Sequence, residues 1–182
     1  MDKDFDIFAI TETWLNPGDC DDFLIESLIP NGYCFLHSVR EGRGGQVGLL
    51  FKSLLKVKQT SMDYLDTIIS FEAMEVEVEV NSQIVSILIV YRPPPSSANN
   101  LSASLFMNEF SSLFESYIMK TGSLLIVGDF NFHVDDTSDP VAANFLGLLE
   151  SFELRQHVHR YTHRAGDTLD LVISRSAESI FN

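Results

Sequence analysis

The sequence predicts a mixed α/β sandwich, and three patterns predict it. Short apolar runs with β-branched members recur at residues 7–10, 46–51, 84–90 and 124–128, with a last one at 168–174. Runs of this length and composition read as strands, several of them buried on both faces. Between residues 68 and 80, Val76, Val78 and Val80 alternate with Glu75, Glu77 and Glu79. That period of two marks an antiparallel strand with one wet face. Two stretches carry helical spacing instead: Leu105, Phe106, Phe110, Leu113, Phe114 and Tyr117 within 101–119, and Phe145, Leu148, Leu149 and Phe152 within 141–152. Helices alternating with strands, beside an antiparallel pair, give a layered α/β domain.

Bulk properties narrow the class. At 182 residues the chain fits one domain with a sizeable core. A net charge of −14 argues against a protein that coats nucleic acid through a general basic face. Cys20 and Cys34 form no Cys-x-x-Cys pattern and read as reduced structural residues. No run approaches a membrane span, and the N-terminus lacks a signal-peptide pattern. The expectation is therefore an intracellular, non-secreted protein without membrane contact, nuclear or cytoplasmic.

Taken in order, residues 5–11 read as a strand covered on both faces, closed by Glu12. An acid there is a metal ligand in waiting or a side chain emerging into solvent. Asn16-Pro17-Gly18-Asp19 is turn chemistry, and residues 22–28 suit a short helix. Gly42-Arg43-Gly44-Gly45 reads as a plain hairpin loop into the strand at 46–51; the alternative is a glycine backbone that a phosphate can approach, with Arg43 as its contact. The glutamate row of 75–79 reads as a solvated, edge-protecting face. The strand at 84–90, apolar apart from Ser86, is expected to be central. It runs into Tyr91-Arg92 and three prolines, which stop the sheet. At that strand end a phenol and a guanidinium can both reach a phosphate; the alternative is a tyrosine capping the core and an arginine in a surface pair.

The chain is organised around residues 123–131. Leu124 to Gly128 make a buried strand, and Asp129 and Asn131 follow two apart, on one side of its end. A carboxylate and an amide held there can grip a metal, a water or a phosphoryl oxygen, although Gly, Asp and Asn also make turns. Near the C-terminus, His157, His159 and His163 raise a zinc reading, but no cysteine or fourth ligand accompanies them. Asp170 sits inside the last apolar strand, where a buried acid needs a partner.

Together these pieces resemble the endonuclease/exonuclease/phosphatase family, and most closely the endonuclease domains of LINE-type (non-LTR) retrotransposons. The matching segments are residues 10–15 (Ile-Thr-Glu-Thr-Trp-Leu), 44–51, 90–94 (Val-Tyr-Arg-Pro-Pro), 128–135 (Gly-Asp-Phe-Asn-Phe-His-Val-Asp) and 161–173, in family order. The resemblance implies a DNase I-like, four-layered α/β sandwich: two mixed sheets face to face with helices outside. It implies Mg²⁺- or Mn²⁺-dependent hydrolysis of phosphate esters, with DNA as the expected substrate. Carried over by position, Glu12 is a metal ligand, Tyr91 contacts the scissile phosphate, and Asp129 orients or deprotonates the attacking water. Asn131 positions water or phosphate, and Thr162 and Asp170 match the supporting threonine and acid of these nucleases; Thr162, and Arg92 by its place at the strand end, are the substrate-binding candidates. A metal acts there as Lewis acid while the carboxylate handles the water's proton.

Two family motifs have no counterpart: an asparagine strand ahead of Glu12 and a terminal Ser-Asp-His stretch. The expectation is a single partial domain over residues 1–182, trimmed at both ends, with strand edges left open. Activity is then weak or absent, and a non-catalytic remnant or binding domain is one alternative. A phosphatase of the same fold acting on a small substrate is another. An intact element of this kind also carries a reverse transcriptase, which this sequence does not contain.

Overall fold

The computed structural model describes residues 5–15, 25–38, 45–60, 67–97, 99–118, 120 and 122–178. Its described elements are β1 (Ile7–Thr11), β2 (Tyr33–His37), β3 (Val47–Lys52), β4 (Lys56–Gln59), β5 (Glu72–Val80) and β6 (Gln83–Tyr91). They continue with α1 (Ala103–Glu115), β7 (Ser123–Asp129), α2 (Pro140–Ser151), β8 (Leu154–Gln156) and β9 (Asp170–Arg175). Residues 25–28 are also helical; the rest of the expected 22–28 helix, the 16–19 turn and Arg43 lie outside the described residues.

The strands form two sheets. A three-stranded antiparallel sheet has the order β1-β3-β2, and a six-stranded mixed sheet has the order β4-β5-β6-β7-β9-β8. The parallel pair is β6 and β7, joined by the α1 crossover. Such a connection needs an intervening helix, which the phenylalanine-rich stretch supplies. Ser102 caps α1 by accepting from the Leu105 N–H, and Asp139 caps α2 with Pro140 in its first turn.

Two apolar layers hold this together. Between the sheets, Val47, Leu49 and Phe51 of β3 meet Met74, Val76, Val78, Ile87, Ile89 and Tyr91. Behind the larger sheet, α1 and α2 bury an aromatic cluster that includes Phe71, Phe106, Phe110, Phe130, Phe132 and Phe145. Ring centroids there stand 4.5 Å (Phe132–Phe145) to 6.3 Å (Phe71–Phe110) apart, in stacked, tilted and edge arrangements. The molecule is thus α/β, two face-to-face sheets with helices outside, as the sequence predicts.

Several expectations change. The glutamate face of β5 is not wet throughout: Glu75 is buried, because the end of the α1 segment folds over it. Its carboxylate binds Lys120 Nζ at 2.9 Å and accepts from Thr60 Oγ1 at 2.9 Å. Nor is β5 an edge, since β4 pairs with it and sets Lys56 against Glu79. β1 is covered on one face only; Ile7 and Ala9 pack between the sheets while Phe8 is exposed. The short strands β4 and β8 carry no apolar run long enough to announce them, whereas β2 does carry one, Tyr33-Cys-Phe-Leu36, which is missing from the expected strands. β8 ends at Gln156, so His157 and His159 do not share a strand face. The His157 ring bonds Ser174 Oγ at 2.9 Å, and burial lowers its pKa.

Candidate active site

The site begins where β6 and β7 end side by side. The register pairs Glu72 with Tyr91, Tyr91 with Asp129, and Asp129 with Asp170. One row of polar side chains therefore crosses four strands, and paired residues share a face. Tyr91 belongs to the core between the sheets, so the row faces the smaller sheet. Gly128 makes the close strand approach feasible: at φ +142° an added Cβ would lie 1.8 Å from the Val90 carbonyl oxygen.

The smaller sheet brings Glu12 to this row. The Tyr91 hydroxyl donates to Glu12 Oε1, joining residues far apart in sequence. Thr13 N–H donates to the Gln46 carbonyl at 3.3 Å and Trp14 N–H to the Gly45 carbonyl at 3.2 Å. These bonds fold the segment after β1 against the start of β3. Gly45 lies on the Tyr91 ring, where a Cβ would stand 2.4 Å from Cε1. Glu12, Trp14, Gln46 and Asn131 all adopt left-handed backbone, with φ of 55°, 53°, 50° and 49°. Strain of this kind gathers at sites whose geometry the surroundings impose.

Asn131 is fixed from both ends. Its N–H donates to Asp129 Oδ1 at 3.0 Å, and its Nδ2 donates to the Arg92 carbonyl at 2.7 Å. Arg92 answers with its side chain, donating from Nη1 to the carbonyls of Phe130 (3.1 Å) and Asn131 (2.9 Å). The guanidinium lies 4.0 Å from the Phe132 ring centroid and is 4% exposed. Burial lowers its pKa, against the opposing pull of Asp129. The sequence offered Arg92 as a phosphate contact or a surface partner. In the folded chain it is a buried clamp on the Asp129–Asn131 turn.

Asp170 is exposed rather than buried in its strand, because β9 begins at it. Thr162 Oγ1 accepts from the N–H groups of Leu169 and Asp170, both at 3.0 Å. Thr162 thus holds the backbone of the acid. Nearby, His133 and His163 place their Nδ1 atoms 3.1 and 3.7 Å from the two oxygens of Asp167.

Electrostatics sets the chemistry. Burial first, and then the charges of Asp170 and Glu12, push the Asp129 carboxyl up to about 6, although hydrogen bonds from Asn131 oppose this. Burial and the Glu12 carboxylate raise the Tyr91 phenol, so it keeps its proton through the neutral range. Among the described residues no three His, Cys, Asp or Glu side chains enclose a metal. The donor chemistry nonetheless fits Mg²⁺, which takes one or two carboxylates and keeps its waters. Glu12, exposed and with one oxygen bonded to Tyr91, beside the charges on Asp129 and Asp170, is such a donor set.

The sequence pointed to Glu12, Tyr91, Asp129, Asn131, Thr162 and Asp170, and all six lie on the row or are bonded to a member of it. It gave no role to Gly45 or Phe132, although both lie within the segments that carry the family resemblance. The signals for Phe132 were its place in the segment 128–135 and the Phe-x-Phe bracket around Asn131.

A family model described as the endonuclease/exonuclease/phosphatase family matches residues 2–181, and the chain belongs to that family. Nucleases of this family generally use divalent metal ions. Among curated proteins none matches the sequence. Among solved structures, the 3′ phosphatase NExo from Neisseria, bound to a product DNA hairpin, superposes with a TM-score of 0.64 at 17% identity, covering 97% of this chain and 78% of that one. D. rerio TDP2 in complex with a single-strand DNA product gives 0.62 at 12% identity, over 96% of this chain and 73% of that one. The human nocturnin catalytic domain with bound sulfate gives 0.52 at 14%, over 93% and 68%. At these identities the likeness is one of fold.

Proposed function

We propose that this chain is a Mg²⁺- or Mn²⁺-dependent DNA phosphodiesterase of the LINE-type retrotransposon endonuclease kind. The carrying observation is the single row Tyr91–Asp129–Asp170 with Glu12 bonded to its phenol. Glu12 is the residue that would hold the metal, which when bound supplies Lewis acidity at the phosphoryl oxygens.

The chain's own groups supply the rest. Asp129, deprotonated above about pH 6, accepts the proton of the attacking water. Asn131, its backbone bonded to Asp129 and its amide to Arg92, fixes where that water stands. Tyr91 keeps its proton and presents it to Glu12 or to a phosphoryl oxygen. Asp170, its backbone held by Thr162, adds the negative field that keeps Asp129 basic.

A second reading is a phosphatase for a small monoester, which the net charge of −14 favours because a small substrate needs no long basic track. Nicking of supercoiled plasmid in Mg²⁺ and in Mn²⁺, beside release of phosphate from monoesters, separates the two. The expected result is nicking by the wild type and none by Asp129→Ala. Phosphate release without nicking replaces the DNA reading, and no turnover of either substrate leaves a non-catalytic binding domain.

A further inference from the structure

The chain is strongly acidic, yet residues 154–166 contain Arg155, Arg160, Arg164, His157, His159 and His163 and no acid. Three of the four described lysines are answered by acids, Lys52 by Asp6, Lys56 by Glu79 and Lys120 by Glu75, and within the strip His163 faces Asp167. Among the described residues, Arg155, Arg160 and Arg164 enter no salt bridge and 159–165 are all exposed. Tyr161, 73% exposed, stands in the middle of this strip. Beside it a cavity of about 640 Å³ is lined by Val134, Val158, His159, Arg160 and Tyr161, with Asp135 bound to the Thr168 N–H.

The strip lies at one end of the candidate row. Tyr161 adjoins Thr162, whose hydroxyl holds the Asp170 backbone. At the other end, Trp14 is two residues beyond Glu12, which is bonded to Tyr91. Trp14 is 65% exposed and held out on left-handed backbone. Each exposed ring is thus carried on a segment anchored to the row, Trp14 through Glu12 and Tyr161 through Thr162, and Arg160 and Arg164, which enter no salt bridge among the described residues, bracket Tyr161 in sequence. Rings interleaved with cations match unpaired bases on a phosphate backbone.

We propose that Trp14, Tyr161, Arg160 and Arg164 form a track for single-stranded DNA running across the candidate site. Bases stack on the two rings, and phosphates meet the arginines. This deepens the phosphodiesterase reading by naming an unpaired strand as its substrate form, and rests on that reading for the site's chemistry. It also reconciles the proposed DNA substrate with a net charge of −14, since Arg160 and Arg164 supply local cations on the strip.

Trp14 is the one tryptophan of the chain, so its emission reports contact at its ring directly. Titration with oligo(dT) in EDTA, which stops turnover, is expected to quench that emission. Tyr161→Ala is expected to weaken binding by about 5- to 100-fold. The double variant Arg160→Gln/Arg164→Gln is expected to lower the salt slope of log Kd by about 1.4, the share of two single-strand phosphate contacts. Unchanged emission on titration, or unchanged affinity in both variants, overturns the track. So does equal binding of duplex DNA and oligo(dT). Plasmid nicking without quenching overturns this inference alone; quenching without nicking overturns the catalytic reading and leaves the track standing.

Discussion

Replacing Asp129 by asparagine is expected to stabilise the protein while abolishing any hydrolysis. The carboxyl is pushed from the ordinary 3.8 to about 6, chiefly by burial and by the charges of Asp170 and Glu12. That displacement corresponds to about 3 kcal/mol of unfavourable native-state charge at neutral pH. Solvent reaches part of the side chain and screens it, so about 1–2 kcal/mol is the working figure. Asparagine keeps the size and the oxygen that accepts the Asn131 N–H at 3.0 Å, and it removes the charge. For a chain of this length the gain appears as a rise of roughly 2–8 °C in Tm at pH 7.5. The sign follows from linkage. Below pH 3.8 the carboxyl is protonated in both states and the penalty is absent. Between about 4 and 6 the native state holds the proton longer, so wild-type stability falls as pH rises, and above about 6 the penalty is complete. Thermal or urea unfolding of both proteins in EDTA, from pH 4 to 8, measures it. The gap opens between pH 4 and 6 and then stays level. An asparagine variant no more stable than wild type at pH 7.5, or a gap of equal size at pH 4, would refute the electrostatic account of the row.

Other substitutions test the scaffold around it. Arg92→Leu leaves the carbonyls of Phe130 and Asn131 without their buried donor, and is expected to cost about 2–4 kcal/mol in urea denaturation and to abolish nicking. Gly45→Ala forces the Tyr91 ring away from its place, at about 1–3 kcal/mol; a shift in the near-ultraviolet circular dichroism of the tyrosines checks it. Tyr91→Phe removes one hydrogen bond to an exposed carboxylate, so stability changes by less than about 1.5 kcal/mol. If the phenol contacts the reacting phosphate, nicking by the same variant falls about 100-fold or more.

Much of this protein was legible in its sequence. A period of two found β5, continuous apolar runs found β6, β7 and β9, and a period of 3.6 found α1 and α2, because each element buries one face or two against a fixed neighbour. The order of the motifs around Glu12, Tyr91 and Gly128–Asn131 pointed to the family, and the family model covers nearly the whole chain. Tertiary structure decided what those residues touch. The Arg92 side chain is equally consistent with a surface pair, a phosphate contact or a buried clamp until the Phe132 ring is placed beneath it. Glu75 and Glu79 are identical in the strand pattern, yet Lys120 returns from the end of the α1 segment to bury one and leaves the other with Lys56. The tyrosine–glutamate bond joins two sheets across a sequence separation of 79, and its partner is chosen by the register of β6 on β7 and the packing of Gly45 on the ring. Local patterns report how a segment buries its own faces; which charges meet across the sandwich depends on long-range packing that local periodicity does not encode.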